Sequence, residues 1–371
     1  MKNLFALAFS FLLSLSLFAQ IEYPIFKDSA TFQAPDSGKL SLQIDNLNYL
    51  RNYEYSGNIP LSYTLFGYQL IPQLKYQLNE NFQIKGGIFL QREFGRDGFY
   101  QIAPVLTAKY QKNGFSFLLG TLEGSLNHRF IEPIYDVESI ISDRLEQGAQ
   151  LIFNRKRWWL DWYIDWEKAI VQNSPYREEF TTGVSSRVKL INNDRLNIEL
   201  PLQAMVAHKG GQIDTSGLPV ESLLNTALGA SFTFNTTGPF LKAVRTEHYF
   251  AYYKDLSGQK VQLYKDGTGW YSSLLFKTKW LDIDARYWKG HQFYGPRGGA
   301  LYSSISEKIP GYGEPNRELL FLSLIYDRPL FPYVNFDVRL EPYYDLRNGM
   351  LEYSYSLFLR FNKDFLLKRI K

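Results

Sequence analysis

The sequence predicts an all-β protein, a transmembrane antiparallel up-and-down β-barrel of about 16 strands. Three observations predict it. Apolar and polar residues alternate in many short segments, which is the pattern of strands whose two faces meet different surroundings. Aromatic residues make up 17% of the 371 residues, mostly as Phe and Tyr, and both favour strands. Short turns alternate along the chain with connections that are usually longer, as in barrels that cross a membrane with strands.

The first 19 residues read as a secretory signal peptide. Lys2 is the only charge before an uncharged apolar run at 4–18, and Ala19 provides a cleavage site. The run is shorter than the ~20 residues that span a bilayer. We therefore expect a mature N-terminus at Gln20, with an uncleaved anchor as the alternative. Residues 20–38 contain two Pro and lack alternation, and they predict a periplasmic N-terminal arm.

The clearest strand covers 158–167, WWLDWYIDWE, where the even positions are all apolar, three of them Trp, and the odd positions hold the carboxylates together with Trp159 and Tyr163. Turn residues such as Asn-Gly separate the strands. The predicted strands cover 39–50, part of 60–78, 82–94, 99–111, 114–127, 144–154, 157–168, 177–190, 195–208, 222–235, 240–253, 268–279, 281–294, 317–327, 333–345 and 349–361. The barrel thus extends over 39–361, and 362–371 is either a basic periplasmic tail or the end of the last strand.

Two hairpins allow a register to be predicted. A tight turn at Trp280-Leu281 would place Lys277 opposite Asp284, and a type I′ turn at Asn348-Gly349 would place Asp337 opposite Arg360. Both would pair opposite charges across neighbouring strands.

The whole mature chain resembles a Gram-negative outer-membrane β-barrel of the Bacteroidota type, and it is porin-like. The strand YSYSLFLRF, which ends at Phe361, is similar to the aromatic-rich signal of such barrels, although ten residues follow it. The tripeptide Asp28-Ser29-Ala30 resembles the Bacteroidota O-glycosylation sequon, and an ordinary linker is the alternative. The resemblance implies a bacterial outer-membrane location with both termini in the periplasm.

Apolar faces should meet lipid, so the polar faces should line the lumen. The lumen-lining candidates are Asp161, Asp165, Glu167, Arg187, Lys189, Glu199, Lys277, Lys279, Asp282, Asp284, Arg286, Asp337, Arg339, Glu341 and Arg360. The lipid-facing or girdle candidates are Trp158, Trp162, Trp166, Tyr353, Tyr355 and Phe361. The mixed charges favour either a transverse field across a water-filled pore or a network of ion pairs that stiffens the wall. Loops 128–143 and 295–316 could fold inward as a constriction, but we expect extracellular flaps.

These features predict a porin-like channel that passes small polar solutes with weak ion selectivity. The alternative is a scaffold barrel of a secretion or surface-polysaccharide machine. A net charge of +4 gives no reason to expect nucleic-acid binding, and the absence of Cys excludes thiolate chemistry. No cofactor, metal site or catalytic residue is predicted, so we expect no enzyme. A lipid-facing hydrolase would need a Ser activated by a His, and no local signature joins His128, His208, His248 or His291 to a Ser.

Overall fold

The structure, a computed structural model, describes Phe26 and residues 36–370. Its strands form one closed antiparallel barrel, in which each strand pairs with its neighbours in the chain and the last pairs with the first. The 16 strands are β1 (Lys39–Glu54), β2 (Thr64–Gln77), β3 (Phe82–Glu93), β4 (Gln101–Lys112), β5 (Phe115–Thr121), β6 (Gln147–Asn154), β7 (Trp158–Lys168), β8 (Glu178–Asn192), β9 (Leu196–Gly210), β10 (Glu221–Asn235), β11 (Leu241–Asp255), β12 (Asp266–Thr278), β13 (Asp282–His291), β14 (Asn316–Phe331), β15 (Val334–Asp345) and β16 (Met350–Arg369). The predicted fold class is confirmed.

Strand β16 closes the barrel and is longer than predicted. It pairs with β1 from Glu54↔Tyr353 to Lys39↔Arg369. Residues 362–369 therefore belong to the last strand. The predicted signal peptide, its cleavage at Gln20 and Ser29 lie outside the described residues, as does nearly all of the predicted arm.

The connections sort by length into two ends of the barrel. The turn end has the short connections, such as 113–114 and 332–333. The loop end has the connections 55–63, 94–100, 122–146, 169–177, 211–220, 256–265, 292–315 and 346–349. In the described part of the chain, no α-helix is long and apolar enough to cross a membrane.

The two predicted hairpin registers are wrong, in each case by two residues. Thr278 Oγ1 accepts hydrogen bonds from the N–H groups of Trp280 and Leu281, which moves the first turn toward the N-terminus, and Asp284 faces Leu275 instead of Lys277. In the last hairpin, Asp345 pairs with Met350, so the turn spans 346–349 and Asp337 faces Phe358.

The loop that joins β5 to β6, here called the crossing loop (residues 122–146), folds into the barrel. It contains a short helix, α1 (Ser139–Ser142). At one side, Gln203 Oε1 on β9 accepts from the Ile131 N–H at 3.0 Å. At the other, Gln69 Nε2 on β2 donates to the carbonyl oxygens of Ile140 and Ile141 at 3.2 and 3.1 Å. Because β2 and β9 lie almost opposite each other in the ring of strands, this loop spans the lumen.

The loop that joins β13 to β14, here called the cap loop (residues 292–315), also packs inward. Phe293 and Tyr302 are buried in one apolar cluster with Ile134 of the crossing loop and with wall residues such as Tyr249. The two loops are also linked directly, since the Gly299 N–H donates to the Glu132 carbonyl oxygen at 2.9 Å. The expectation of extracellular flaps is therefore wrong, because both loops carry apolar side chains that the lumen buries.

Candidate functional site

The lumen face of the wall holds most of the charged candidates from the sequence. Buried side chains include Asp161, Asp165, Arg187, Glu199, Asp284, Arg286, Asp337, Arg339 and Arg360. Lys189, Lys277, Asp282 and Glu341 also occupy inward positions and are half-buried, and Glu167, near the end of β7, is exposed. Lys279 is an exception, because it lies exposed in the turn between β12 and β13. Its assignment to the lumen is wrong, since the Thr278 turn removes it from the strand.

Several of the buried charges are paired across neighbouring strands. Arg187 Nη1 lies 3.3 Å from Glu199 on β9 and 3.3 Å from Glu247 on β11. Arg360 makes two hydrogen bonds to Asp45 across the β1–β16 seam, at 2.8 and 2.6 Å. These pairs are the arrangement of the wall-stiffening alternative, whereas the buried Asp165 accepts from the Gln147 N–H at 2.7 Å and forms no ion pair with the described residues.

The outer face carries the aromatic candidates. Trp158, Trp162, Trp166, Tyr353 and Tyr355 are exposed, and Phe361 lies at an outward position and is half-buried. Trp159 differs from its neighbour, because successive strand residues face opposite sides. Its ring is buried inside the barrel beneath the Arg129 guanidinium, 4.1 Å from the ring centroid.

The most deeply buried ionised group in the crossing loop is His128, whose side chain is 0% exposed. Its Nδ1 lies 2.8 Å from Asp161 and its Nε2 lies 2.6 Å from Glu146. Because carboxylates accept hydrogen bonds, both ring nitrogens carry a proton and the ring is an imidazolium. Burial opposes this charge, but the two carboxylates outweigh it and raise the pKa of His128 to about 10. Asp161 was expected to face water, and instead it anchors this loop.

The His128 centre is closed to substrates. The imidazolium stacks on Tyr163, with ring centroids 3.7 Å apart, and Tyr135 donates to Glu146 at 2.6 Å. Both nitrogens are engaged, so neither is available as a general base. Its role in this structure is to hold the crossing loop against β7.

The outer face contains a different kind of site, formed by two neighbouring strands. His248 on β11 and Ser272 on β12 are direct cross-strand partners, and both occupy outward positions. His248 Nδ1 lies 2.9 Å from Ser272 Oγ, and His248 Nε2 lies 3.0 Å from Thr246 Oγ1. Trp270 Nε1 donates to Ser272 Oγ at 2.9 Å. We call these four residues the wall site.

The hydrogen bonds of the wall site determine its tautomer. Thr246 has one hydroxyl proton and donates it to the carbonyl oxygen of Ser273 at 3.0 Å. Toward His248 Nε2, Thr246 Oγ1 is therefore the acceptor, and Nε2 carries the ring proton. This leaves Nδ1 bare, so it accepts the hydrogen bond from the Ser272 hydroxyl. A Ser hydroxyl that donates to a neutral His, which a third residue orients, is the arrangement of an activated nucleophile.

A second outward pair lies closer to the loop end. His208 Nδ1 on β9 is 2.8 Å from Ser222 Oγ on β10. The described residues provide no hydrogen-bond partner for His208 Nε2. His291, at the end of β13, contacts Asn316 Oδ1 at 2.8 Å and no Ser. Of His208, His248 and His291, only His248 in the wall site has a described hydrogen-bond partner at both ring nitrogens.

Sequence reasoning missed the wall site for a specific reason. The two strands have polar residues on both faces, since Glu247 and Ser273 face inward while His248 and Ser272 face outward. The alternation of polar and apolar residues therefore does not distinguish His248 and Ser272 from their polar neighbours on the same strands. The signal that could have found them is the register of β11 with β12, which places His248 beside Ser272.

Residues 36–370 contain no group of three or more His, Asp or Glu side chains arranged to hold a metal ion. Comparison with known protein families gives one match, to the family described as lipid A 3′-O-deacylase-type, over residues 32–370. The chain belongs to this family. The prediction that the protein is not an enzyme is therefore wrong, because the family is one of deacylases. A search of curated proteins found no match.

Solved structures of similar fold agree with the membrane assignment. The outer membrane protein OprD from Pseudomonas aeruginosa has a TM-score of 0.51 and 12% identity, over 93% of this chain and 97% of that one. OmpT, an outer membrane protein of Vibrio cholerae, has a TM-score of 0.53 and 8% identity, over 90% and 100% of the two chains. OccK3 of P. aeruginosa has a TM-score of 0.50 and 13% identity, over 89% and 97%. This lipid A deacylase-type chain is an outer-membrane β-barrel with the fold of these proteins, and its Bacteroidota origin stays a prediction.

Proposed function

We propose that the protein is an outer-membrane acyl-ester hydrolase that takes its substrate from the lipid around the barrel, with Ser272 as nucleophile and His248 as general base. The observation that carries this proposal is the hydrogen bond between Ser272 Oγ and His248 Nδ1 on the outward face. Polar side chains on the lipid-facing side of a barrel wall reduce the stability of the protein in the membrane. A hydrogen-bonded set of four such residues therefore indicates a functional site.

The substrate class comes from the family, whose description names lipid A and deacylation. We infer an ester-linked acyl chain of a lipid A-type glycolipid as the group that is removed. Such a lipid reaches the wall site laterally from the membrane. The reaction therefore does not require an open lumen, which agrees with the inward position of the crossing and cap loops.

The chemistry follows from the tautomer. Ser272 Oγ attacks the ester carbonyl carbon while its proton passes to His248 Nδ1, which gives an imidazolium. The tetrahedral intermediate collapses, the bond to the alcohol oxygen breaks, and His248 returns the proton to that oxygen. A water molecule, activated by the same nitrogen, then hydrolyses the acyl-serine and releases the fatty acid.

The two flanking residues have separate roles. Thr246 Oγ1 accepts from Nε2–H, so it holds the ring in the tautomer that leaves Nδ1 free and faces the positive charge that forms. Trp270 Nε1–H donates at the nucleophile, where it can stabilise negative charge. The orienting group is neutral, so the imidazolium gains less stabilisation than from a carboxylate.

The test is hydrolysis of lipid A in mixed micelles, with the released fatty acid measured by mass spectrometry. Ser272→Ala should reduce the rate by about 10²-fold or more, as expected for loss of a nucleophile and its proton transfer. Ser222→Ala is the matched control, since it removes the serine of the other outward Ser–His pair and should leave the rate unchanged. Loss of activity in Ser222→Ala with full activity in Ser272→Ala would contradict the assignment.

Passage of small polar solutes is the second candidate function. The observation that favours it is a set of cavities inside the wall, of about 480, 620 and 680 Å³. The last is polar and is lined by Asp45, Lys85 and Lys109 among others. Continuous passage would require the crossing loop to move, because it connects opposite sides of the lumen. Planar-bilayer recordings test this, and discrete conductance steps with weak selectivity would support it.

A further inference from the structure

A cavity of about 620 Å³ lies at the loop end, between the wall and both inward loops. Its base is buried, with Arg286, Tyr302 and Phe321 all below 7% exposed. Its rim is accessible, since Leu61 is 43% and Tyr63 is 38% exposed. A concave site with a closed base and an open rim is the usual form of a small-molecule site.

One side of the cavity is aromatic. Tyr53 lies at the centre of this side, with ring centroids 5.2 Å from Tyr55 and 4.9 Å from Tyr63. Tyr302 and Phe321 extend the aromatic surface toward the base, with centroids 5.2 Å apart. The faces of aromatic rings attract cations through their quadrupoles. The Arg51 guanidinium already lies over Tyr53, 5.0 Å from the ring centroid, and Arg286 lies 5.1 Å from that of Phe321. A ligand cation would therefore contact the rings of Tyr55, Tyr63 and Tyr302.

The charges around the cavity do not balance. Arg51 lies 3.5 Å from Glu341, and Arg286 pairs with Glu341 at 3.4 Å and with Glu132. Three further carboxylates, those of Asp136, Glu138 and Glu307, form no ion pair within 4 Å with the described residues, and Arg51 acts on Asp136 and Glu138 only from a longer distance. Asp136 and Glu307 line the cavity, and Glu138 is held beside it by the hydroxyl groups of Tyr53 and Tyr63.

The carboxyl groups respond to this deficit of positive charge. Burial, together with the neighbouring Glu138, raises the pKa of Asp136 to about 7. The same two causes raise the pKa of Glu307. A bound cation would remove the repulsion that these groups exert on one another.

A hydrogen-bond donor also remains without an acceptor. Arg51 lines the cavity and is 8% exposed, and its Nε has no hydrogen-bond partner within the described residues. Buried donors in native structures are nearly always satisfied, so an unsatisfied one calls for an explanation. An acceptor on a bound ligand, such as a hydroxyl oxygen, would provide it.

From the cavity, its aromatic side, its unpaired carboxylates and the unsatisfied Arg51 donor, we propose that this cavity binds a small organic cation that carries an ammonium group next to a hydroxyl group. The ammonium group lies against the tyrosine faces beside Asp136 and Glu307. The hydroxyl oxygen accepts from Arg51. This assignment is separate from the proposed hydrolase, since the wall site lies on the other face of the barrel.

The experiment is calorimetric titration of the purified, detergent-folded protein with choline and with its neutral isostere, 3,3-dimethylbutan-1-ol. Both have the same shape and hydroxyl group, and only choline is charged. Choline should bind about tenfold more tightly or better. Equal affinities, or no measurable binding of choline, would overturn the proposal.

Variants locate the site. Asp136→Asn should weaken choline binding about tenfold. Glu307→Gln, at the exposed rim, should also weaken it, and this variant provides the test if Asp136→Asn does not fold. Glu80→Gln, in the turn between β2 and β3, is the matched control and should bind as the unaltered protein does. Unchanged affinity in folded Asp136→Asn and in Glu307→Gln would refute the site. Ser272→Ala should retain choline binding, which separates this test from that of the hydrolase.

Discussion

Replacing His128 by Phe should destabilise the barrel strongly, because it leaves two buried carboxylates without their cation. The pKa of His128 rises from an ordinary value of 6.5 to about 10 in the folded protein. At about 1.4 kcal/mol for each tenfold change in proton affinity, this rise corresponds to about 5 kcal/mol. Removal of one partner from a buried ion pair costs about 3–5 kcal/mol, which agrees. We therefore expect a loss of about 3–5 kcal/mol in the free energy of unfolding at pH 6.

The dependence on pH gives the same prediction a second test. The folded-state pKa of His128 is above its unfolded value, so its contribution is fully present below about pH 6.5 and is lost as the pH rises through about 10. The difference between the unaltered protein and His128→Phe should therefore shrink between these pH values. Glu146 sets a second limit, at acid pH. Burial raises its pKa, but His128 and Tyr135 outweigh burial and lower the pKa to about 2. The stabilisation from Glu146 is therefore present above about pH 4.5 and is lost as the pH falls toward 2.

The assay is guanidinium unfolding of the barrel in micelles, followed by the separate gel migration of folded and unfolded protein. His208→Phe is the matched control, because His208 lies on the outer face and contacts a serine instead of a carboxylate. Adding Glu146→Gln to His128→Phe should restore part of the stability, since one uncompensated charge is removed. Equal unfolding curves for His128→Phe and His208→Phe would refute the reasoning.

Three further outcomes are expected. Arg360→Met should lower the unfolding free energy by about 3 kcal/mol, because Asp45 at the β1–β16 seam loses its two hydrogen bonds to Arg360 and keeps only Arg144, at 3.4 Å. Lys368→Met near the chain end should have little effect, and similar unfolding curves for the two variants would contradict this. Thr246→Val should reduce kcat of hydrolysis with little change in KM, since His248 loses the acceptor that fixes its tautomer; an unchanged kcat in folded protein would show that Thr246 does not orient the ring. Planar bilayers with the folded protein should be silent, and conductance steps would show that the crossing loop moves aside.

Much of the barrel could be predicted from the sequence, because one physical rule determines which strand residues are apolar. Strands between lipid and a polar interior must alternate, and segments such as 158–167 and 195–207 do so over much of their length. The number of strands and the alternation of connection lengths were both predictable on this ground. Register was not, because it depends on turn geometry, and Thr278 and Asp345 shift their hairpins by side-chain hydrogen bonds that composition does not reveal.

The interior was less predictable than the wall. The sequence of the crossing loop contains Ile131, Ile134, Ile140 and Ile141, which are buried, yet a loop of this length is compatible with either an extracellular or an inward position. What decides its position is contact with residues far away in sequence, such as Gln69 and Gln203. The polar faces of the strands were expected to meet water in the lumen. That expectation was wrong because the inward loops cover many of these side chains.

The candidate catalytic residues required the paired strands. His248 and Ser272 are 24 residues apart in the chain, and only the register of β11 with β12 brings them to hydrogen-bond distance. No local motif marks them. The expectation of a non-enzymatic channel came from that absence, and family membership overturned it.

The most direct test of the wall site is covalent labelling with a long-chain alkyl fluorophosphonate, which reacts with activated serine hydroxyls. Treatment of the folded protein, followed by proteolysis and mass spectrometry, should give an adduct on Ser272 that is absent in His248→Phe. Unfolded protein should give none. Failure of the folded protein to react, or an adduct on another serine with Ser272 unmodified, would contradict the claim that this serine is the lipid-facing nucleophile.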